Sequence, residues 1–166
     1  LNNCAFLSTE NIDIDFSSPF TFLMDMSMLG VGVGGDCRGA GKVKIQEPAM
    51  GDEYVVEDTR EGWVNVVRKI LDSYVGKDVL PSSINFDDIR PKGTPIKTFG
   101  GIASGPDPLR DLCGRIQNLL SSRVGEYITS TDIVDIFNMI GVCVVSGNVR
   151  RSAEIMFGDP NDEGFR

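Results

Sequence analysis

Histidine is missing from all 166 residues. No imidazole can therefore serve as general base, activate a nucleophile or bind a metal within this segment. The four cysteines, at 4, 37, 113 and 143, form no C-x-x-C pair and no zinc spacing. Unpaired cysteines suit a reducing compartment, so a cytoplasmic location is expected. No unbroken apolar stretch approaches the ~20 residues of a membrane span. No basic segment precedes an apolar run as in a secretory signal, and a membrane partner is not expected. Positive charge is in deficit too: 16 Lys and Arg face 24 Asp and Glu, for a net charge of −8. That balance, with no basic stripe, argues against direct binding of nucleic acid. The densest basic group, Arg150-Arg151, suffices for one phosphate or one base. What remains, 166 residues with 41% hydrophobic content, can bury one core without disulfides.

Periodicity predicts four helices. Ser18-Pro19 opens the first, with Phe20, Leu23, Met24, Ser27 and Met28 as its stripe and Gly30 as its stop. Asp58 with Glu61 forms a candidate capping box for the second. Its stripe is Trp63, Val66, Val67, Ile70, Leu71 and Tyr74, and Gly76 follows. Pro106 starts a third, striped by Leu109, Leu112, Cys113, Ile116, Leu119 and Leu120, and Ser130 or Thr131 caps a fourth reaching Ile140. Both the Trp63 stripe and the Leu109–Leu120 stripe read as core. Short strands are expected at Val43–Ile45, Ser83–Phe86, Val142–Val145 and Glu154–Phe157, with a long Pro/Gly loop over Ile89–Pro108. Helices alternating with short apolar strands give an α/β class with a parallel sheet.

Three segments carry candidate chemistry. Glycines at 30, 32, 34, 35, 39 and 41 make a run too flexible for a helix. Its G-x-G-x-x-G match is a weak dinucleotide fingerprint, because it follows a helix instead of a strand, and the P-loop frame fails at Val43. The run could cradle phosphate, or it could be a surface loop. In Ser146–Ala153, Gly147 permits bending, Asn148 can donate to and accept from a base edge, and Arg150 offers a planar fork. A solvated turn is the bland alternative there. Ser104-Gly105, at the start of the third helix, could meet an anion, while Lys92 and Lys97 are equally at home in solvent. Cys4, with no cation beside it, could be a buried structural thiol, and pairing with Cys143 stays open on spacing alone.

Asn2-Asn3-Cys4-Ala5-Phe6, Met26–Gly35 and Cys143–Ala153 together resemble the catalytic chain of ribonucleotide reductases. Ile89–Gly101 with Ala103–Pro106 points to the monomeric, adenosylcobalamin-dependent (class II) triphosphate type. The resemblance runs from the first residues to the last, so an internal piece of a longer chain is expected, inactive alone and poorly soluble. It implies a single partial domain over 1–166: the first part of a ten-stranded α/β barrel of the reductase and glycyl-radical type, with inserted effector-binding segments. It implies reduction of ribonucleoside triphosphates at the 2′ position by thiyl-radical chemistry, with a thioredoxin-type reductant. Cys4 would be one half of a redox pair whose partner lies outside the chain, and adenosylcobalamin would be bound mainly by other parts. Substrate would meet Asn3, Cys4, Asn148 and Arg150. Residues 30–43 and 146–153 would be the specificity loops. Gly32, Gly34, Gly35, Asp36, Arg38, Gly39 and Lys42 would bind a deoxynucleoside triphosphate effector with Mg. Arg38 and Lys42 would take phosphate, and Asp36 ribose or a metal. No metal site is implied otherwise, and Cys37 has no expected role. A free-standing nucleotide-binding module, or a reductase of another class in the superfamily, is the alternative.

Overall fold

The computed structural model describes residues 4–96 and 101–147. Strand β1 (Cys4–Leu7) leads through helix α1 (Ser18–Met28) into β2 (Gly32–Gly35). β1 and β2 pair in parallel, with Cys4 opposite Gly32 and Leu7 opposite Gly35, which makes a βαβ unit. Next come β3 (Met50–Gly51), β4 (Tyr54–Val55), α2 (Arg60–Ser73), β5 (Leu80–Pro81) and β6 (Ile84–Asn85). α2 is the crossover between two short parallel pairs, β3 with β5 and β4 with β6. β7 (Pro95–Ile96) and β8 (Gly101–Ile102) form an antiparallel pair ahead of α3 (Asp107–Ser121) and α4 (Ser130–Gly147).

The helices form the core. On α2, Val66, Val67, Ile70, Leu71 and Tyr74 are buried along one face, as the spacing predicts. α3 buries Leu109, Leu112, Cys113, Ile116 and Leu120, while Leu119 packs at the margin. Each fully buried aliphatic side chain contributes roughly 1.5–3 kcal/mol. Phe20 on α1 stands 5.6 Å from Phe16 and 5.1 Å from Phe137 of α4, which joins α1 to α4 through aromatic contact. Gly30 (φ 87°) and Gly76 (φ 80°) take the left-handed conformation just past α1 and α2, which explains glycine there.

Several expectations need correction. The predicted strand Val142–Val145 is the end of α4. Ile133, Ile136, Ile140, Cys143 and Val144 are buried while Val142 and Val145 face outward, which is helical periodicity. Gly141 does not break the helix, because its surroundings are open and its neighbours pack. α4 is long and apolar enough by composition to cross a membrane; its buried third packs against α1 and α3, while Val134, Val142 and Val145 are exposed. Thr129 caps α4 instead of Ser130 or Thr131 (its hydroxyl accepts from the Asp132 amide at 3.1 Å). α2 is capped by Thr59, whose hydroxyl accepts from the Gly62 amide at 2.9 Å, and Asp58 turns instead to Arg90. Val43–Ile45 forms no regular strand; it bonds residues 125–128, with one antiparallel bridge between Lys44 and Tyr127. The loop expected over Ile89–Pro108 holds the β7–β8 pair. The described residues form a mixed α/β unit in which no barrel is evident. The strand expected at Glu154–Phe157 lies outside the described residues.

Candidate functional site

Parallel pairing sends β1 and β2 the same way, so the segments that follow them meet. Thr9, two residues beyond β1 and fully buried, is the meeting point. Its amide donates to Asp36 Oδ1 at 2.9 Å, and its hydroxyl lies 3.0 Å from the same oxygen and 3.2 Å from the Asp36 carbonyl. That hydroxyl also accepts from the Gly39 amide at 2.8 Å. Asp36 Oδ1 accepts from the Arg38 amide at 3.1 Å, and Oδ2 takes Arg38 Nε at 2.9 Å. The Thr9 amide, aided by Arg38, holds the Asp36 carboxyl well below the usual carboxylate range against the opposing effect of burial.

The glycines of this run have separate reasons. A Cβ on Gly39 would sit 2.4 Å from the Thr9 carbonyl and 2.5 Å from Ile12, so only glycine fits. Gly35 faces the Phe137 ring, where a Cβ would stand at 3.0 Å. Gly32 and Gly34 lie in β2. The cations at the loop are already engaged. Arg38 reaches the Ser8 hydroxyl at 3.2 Å and Glu10 at 3.7 Å, and Lys42 Nζ donates to the Glu10 carbonyl at 2.6 Å. Both are solvent-exposed surface contacts, so an arriving anion could displace them at little cost.

Cys4 opens β1 at the other end of the pair. At ~3.3 Å per residue, its backbone lies roughly 16 Å along the strand from Thr9. Asn3, Asn148, Arg150 and the rest of 148–153 lie outside the described residues. Cys143 is a free, buried thiol on α4, and Cys113 on α3 is another. Burial is the main cause that pushes both up to about 12.

A concavity of about 410 Å³ lies apart from this loop, among the C-terminal ends of α1 and α4, the N-termini of α2 and α3, and β7. Trp63, Arg60, Arg90, Ser104 and Gly147 border it. Trp63 packs against the core as expected, and its half-buried ring also lines this cleft. Arg60 bonds Asp25 at 2.7 Å and Arg90 bonds Asp58 through Nε, so each arginine has a carboxylate partner. Among the described residues, no cluster of three or more Cys, Asp or Glu could hold a metal.

Sequence reasoning missed Thr9 and the two arginine–carboxylate pairs of the cleft. The only signal for Thr9 was its place in a polar Ser8-Thr9-Glu10 run directly after an apolar strand. Its partner stands 27 residues away.

Comparison with known proteins gives a consistent set. The model of the B12-dependent ribonucleotide reductase insertion domain matches residues 38–120. The chain is 47% identical to a probable adenosylcobalamin-dependent ribonucleoside-triphosphate reductase of Dictyostelium discoideum, over 99% of its own length and 24% of the relative's. It is 45% identical to the adenosylcobalamin-dependent ribonucleoside-triphosphate reductase of Euglena gracilis, over 99% of this chain and 23% of that one. The crystal structure of a B12-dependent (class II) ribonucleotide reductase superposes with a TM-score of 0.65 at 28% identity, covering 78% of this chain and 23% of the other. The chain thus spans about a quarter of the length of the relatives it matches.

Proposed function

The chain belongs to the B12-dependent ribonucleotide reductases, and from that premise we propose that it is the effector-sensing part of a ribonucleoside-triphosphate reductase. The parent reaction replaces the ribose 2′-hydroxyl by hydrogen: two thiols close to a disulfide, the hydroxyl leaves as water, and a deoxynucleoside triphosphate is formed. Cys4 supplies one of the two thiols. Its partner lies elsewhere in the parent chain, and a thioredoxin-type protein reopens the disulfide in the cytoplasm. The Gly32–Val43 segment receives the deoxynucleoside triphosphate effector, with Arg38 and Lys42 on phosphate. Residues 146–153 form the second specificity loop, with Asn148 and Arg150 toward the substrate. In this reading the chain is the first part of a ten-stranded barrel with an insertion domain over residues 38–120, and the remainder of a monomeric parent completes it.

One observation carries this reading. The register of β1 on β2 sets Cys4, opposite Gly32, at one end of a strand pair and the loop that follows Gly35 at the other. A two-electron thiol and an anion-receptive loop, held apart by one rigid ladder, suit an enzyme whose effector and substrate bind at separate places.

The residues present do not fit adenosylcobalamin. The cleft of about 410 Å³ is of the size that takes a drug-sized ligand, too small for a corrinoid with its nucleotide tail. The corrinoid belongs to other parts of the parent, and no step is derived through it. Mg would enter with the effector, held by its phosphates and water.

The test is Cys4→Ser in the full-length parent, with equilibrium binding of deoxynucleoside triphosphates measured beside turnover. Turnover should vanish while effector affinity stays within about twofold. Equal loss of both would overturn the assignment. Unchanged turnover would leave a nucleotide-binding module with no redox step at Cys4.

A further inference from the structure

The Thr9 clamp has no role in the chemistry proposed above, yet it is the best-satisfied polar cluster at the loop. Thr9 is fully buried. Its amide and hydroxyl together make contacts to the Asp36 carboxylate, the Asp36 carbonyl and the Gly39 amide. Gly39 approaches the Thr9 carbonyl so closely that no Cβ could be accommodated. Asp36, through its two oxygens, then fixes the amide and the Nε of Arg38. The direction Arg38 presents to the surface is therefore set by Asp36, and Asp36 is set by Thr9.

We propose that Thr9 is the positioning residue of the effector loop: it holds Asp36 and Gly39 so that the loop amides and Arg38 are preformed for a triphosphate, and it ties that loop to β1. The proposal rests on the reading of Gly32–Val43 as the effector segment. Its physical basis is preorganisation. A ligand that needs one loop shape binds with an affinity reduced by the fraction of time the loop spends elsewhere. A loop with this many glycines has many other shapes available. The clamp removes them before the ligand arrives, and the ligand then loses less freedom on binding. Asp36 has a loop-shaping task in this arrangement, because Oδ1 already accepts from three donors and Oδ2 from a fourth.

Thr9 lies two residues beyond β1, so the clamp anchors the effector loop to the strand that starts with Cys4. Stimulation of turnover by effector should thus depend on Thr9, while turnover without effector should not.

The experiment uses the full-length parent with Thr9→Val, Thr9→Ser and Arg38→Gln. Each of dATP, dGTP, dCTP and dTTP is tested by equilibrium binding and by stimulation of ribonucleoside triphosphate reduction. Valine keeps the shape of threonine but removes the hydroxyl, which leaves the buried Gly39 amide without its acceptor. The expected result is effector affinity weakened on the order of tenfold, the loss that follows from one unsatisfied buried donor. Turnover without effector should stay within about twofold, and Thr9→Ser should restore affinity. Should Thr9→Val fail to fold, Asp36→Asn reads the same link, since it removes the charge that the Thr9 donors stabilise, and a similar loss of affinity is expected. Wild-type effector response in the valine variant overturns the proposal. So does a parallel fall of basal and stimulated turnover, which would make Thr9 merely structural. If Arg38→Gln leaves effector affinity unchanged, the effector-loop reading fails first and takes the proposal with it. If Arg38→Gln weakens binding and Thr9→Val does not, only the clamp fails.

Discussion

Removing the Asp132 carboxylate should be among the costliest single changes in the chain. Asp132 is fully buried at the start of α4. Its Oδ2 accepts from the Thr129 amide at 3.0 Å, while the Asp132 amide donates back to the Thr129 hydroxyl, a reciprocal cap. Oδ1 takes Arg123 Nε at 3.0 Å, which braces the turn between α3 and α4. Asp132→Ala leaves the Thr129 amide without its acceptor, at about 1 kcal/mol. It also removes a charge-assisted bond worth about 1.5–3 kcal/mol. Arg123 is one-third exposed and keeps Glu126 at 3.9 Å, so water and a second carboxylate offset part of the loss. A net cost of about 2.5 kcal/mol is expected, below the ~3–5 kcal/mol of a fully buried broken pair. With a urea slope of about 2 kcal/mol per molar, the unfolding midpoint read by circular dichroism should fall by roughly 1.2 M. Asp132→Asn, which keeps one acceptor oxygen and the shape, should lose less than half as much. A cost below about 0.5 kcal/mol for the alanine variant would place this residue with ordinary surface sites and refute the reasoning.

Other predictions follow from packing and titration. Gly141→Ala should stabilise the chain by about 0.5–1 kcal/mol in urea, because the position is helical and open; a destabilisation would argue against the helical end of α4. Gly62→Ala should cost about 1–3 kcal/mol, since a Cβ there would stand 2.2 Å from the Glu57 carbonyl; an unchanged urea midpoint would refute that contact. Cys113 and Cys143 hold their protons to about 12 in the fold, whereas the unfolded thiols release theirs near 9.0. Between those values the unfolded chain binds fewer protons, so stability should decline above about pH 9, by up to ~1.4 kcal/mol per thiol per pH unit. Urea midpoints measured from pH 8 to pH 10.5 check this, and a flat profile would contradict it. In the same fold, Cys37 is partly exposed and should be alkylated by iodoacetamide well before the two buried thiols.

Much of the helical layout was legible in the residues. The stripes of α1, α2 and α3 repeat at three- and four-residue spacing, and Gly30 and Gly76 sit where a left-handed residue was needed. The end of α4 was not legible, because four consecutive apolar residues between two glycines satisfy strand and helix equally. Burial of Cys143 and Val144, with Val142 and Val145 turned out, decided it. The cap of α2 misled for a different reason. Asp58 and Thr59 are adjacent and both cap well, and the choice was made by Arg90, 32 residues away, which claims Asp58. The two-residue parallel pairs around α2 carry no periodicity at all. In the candidate site, the resemblance pointed to the Gly-rich loop and Cys4, but the link between loop and strand depends on Thr9 and Asp36. Neither residue announces the other in sequence, and only the β1–β2 register brings them together.

The central claim is that Cys4 is a redox thiol of a ribonucleoside-triphosphate reductase. Its most direct test is disulfide mapping after one turnover of the prereduced full-length parent with no external reductant. One deoxynucleoside triphosphate should form per new disulfide, and that disulfide should contain Cys4 while Cys37, Cys113 and Cys143 remain free thiols. Product formation with Cys4 still reduced, or with a disulfide joining Cys113 to Cys143, would contradict the account.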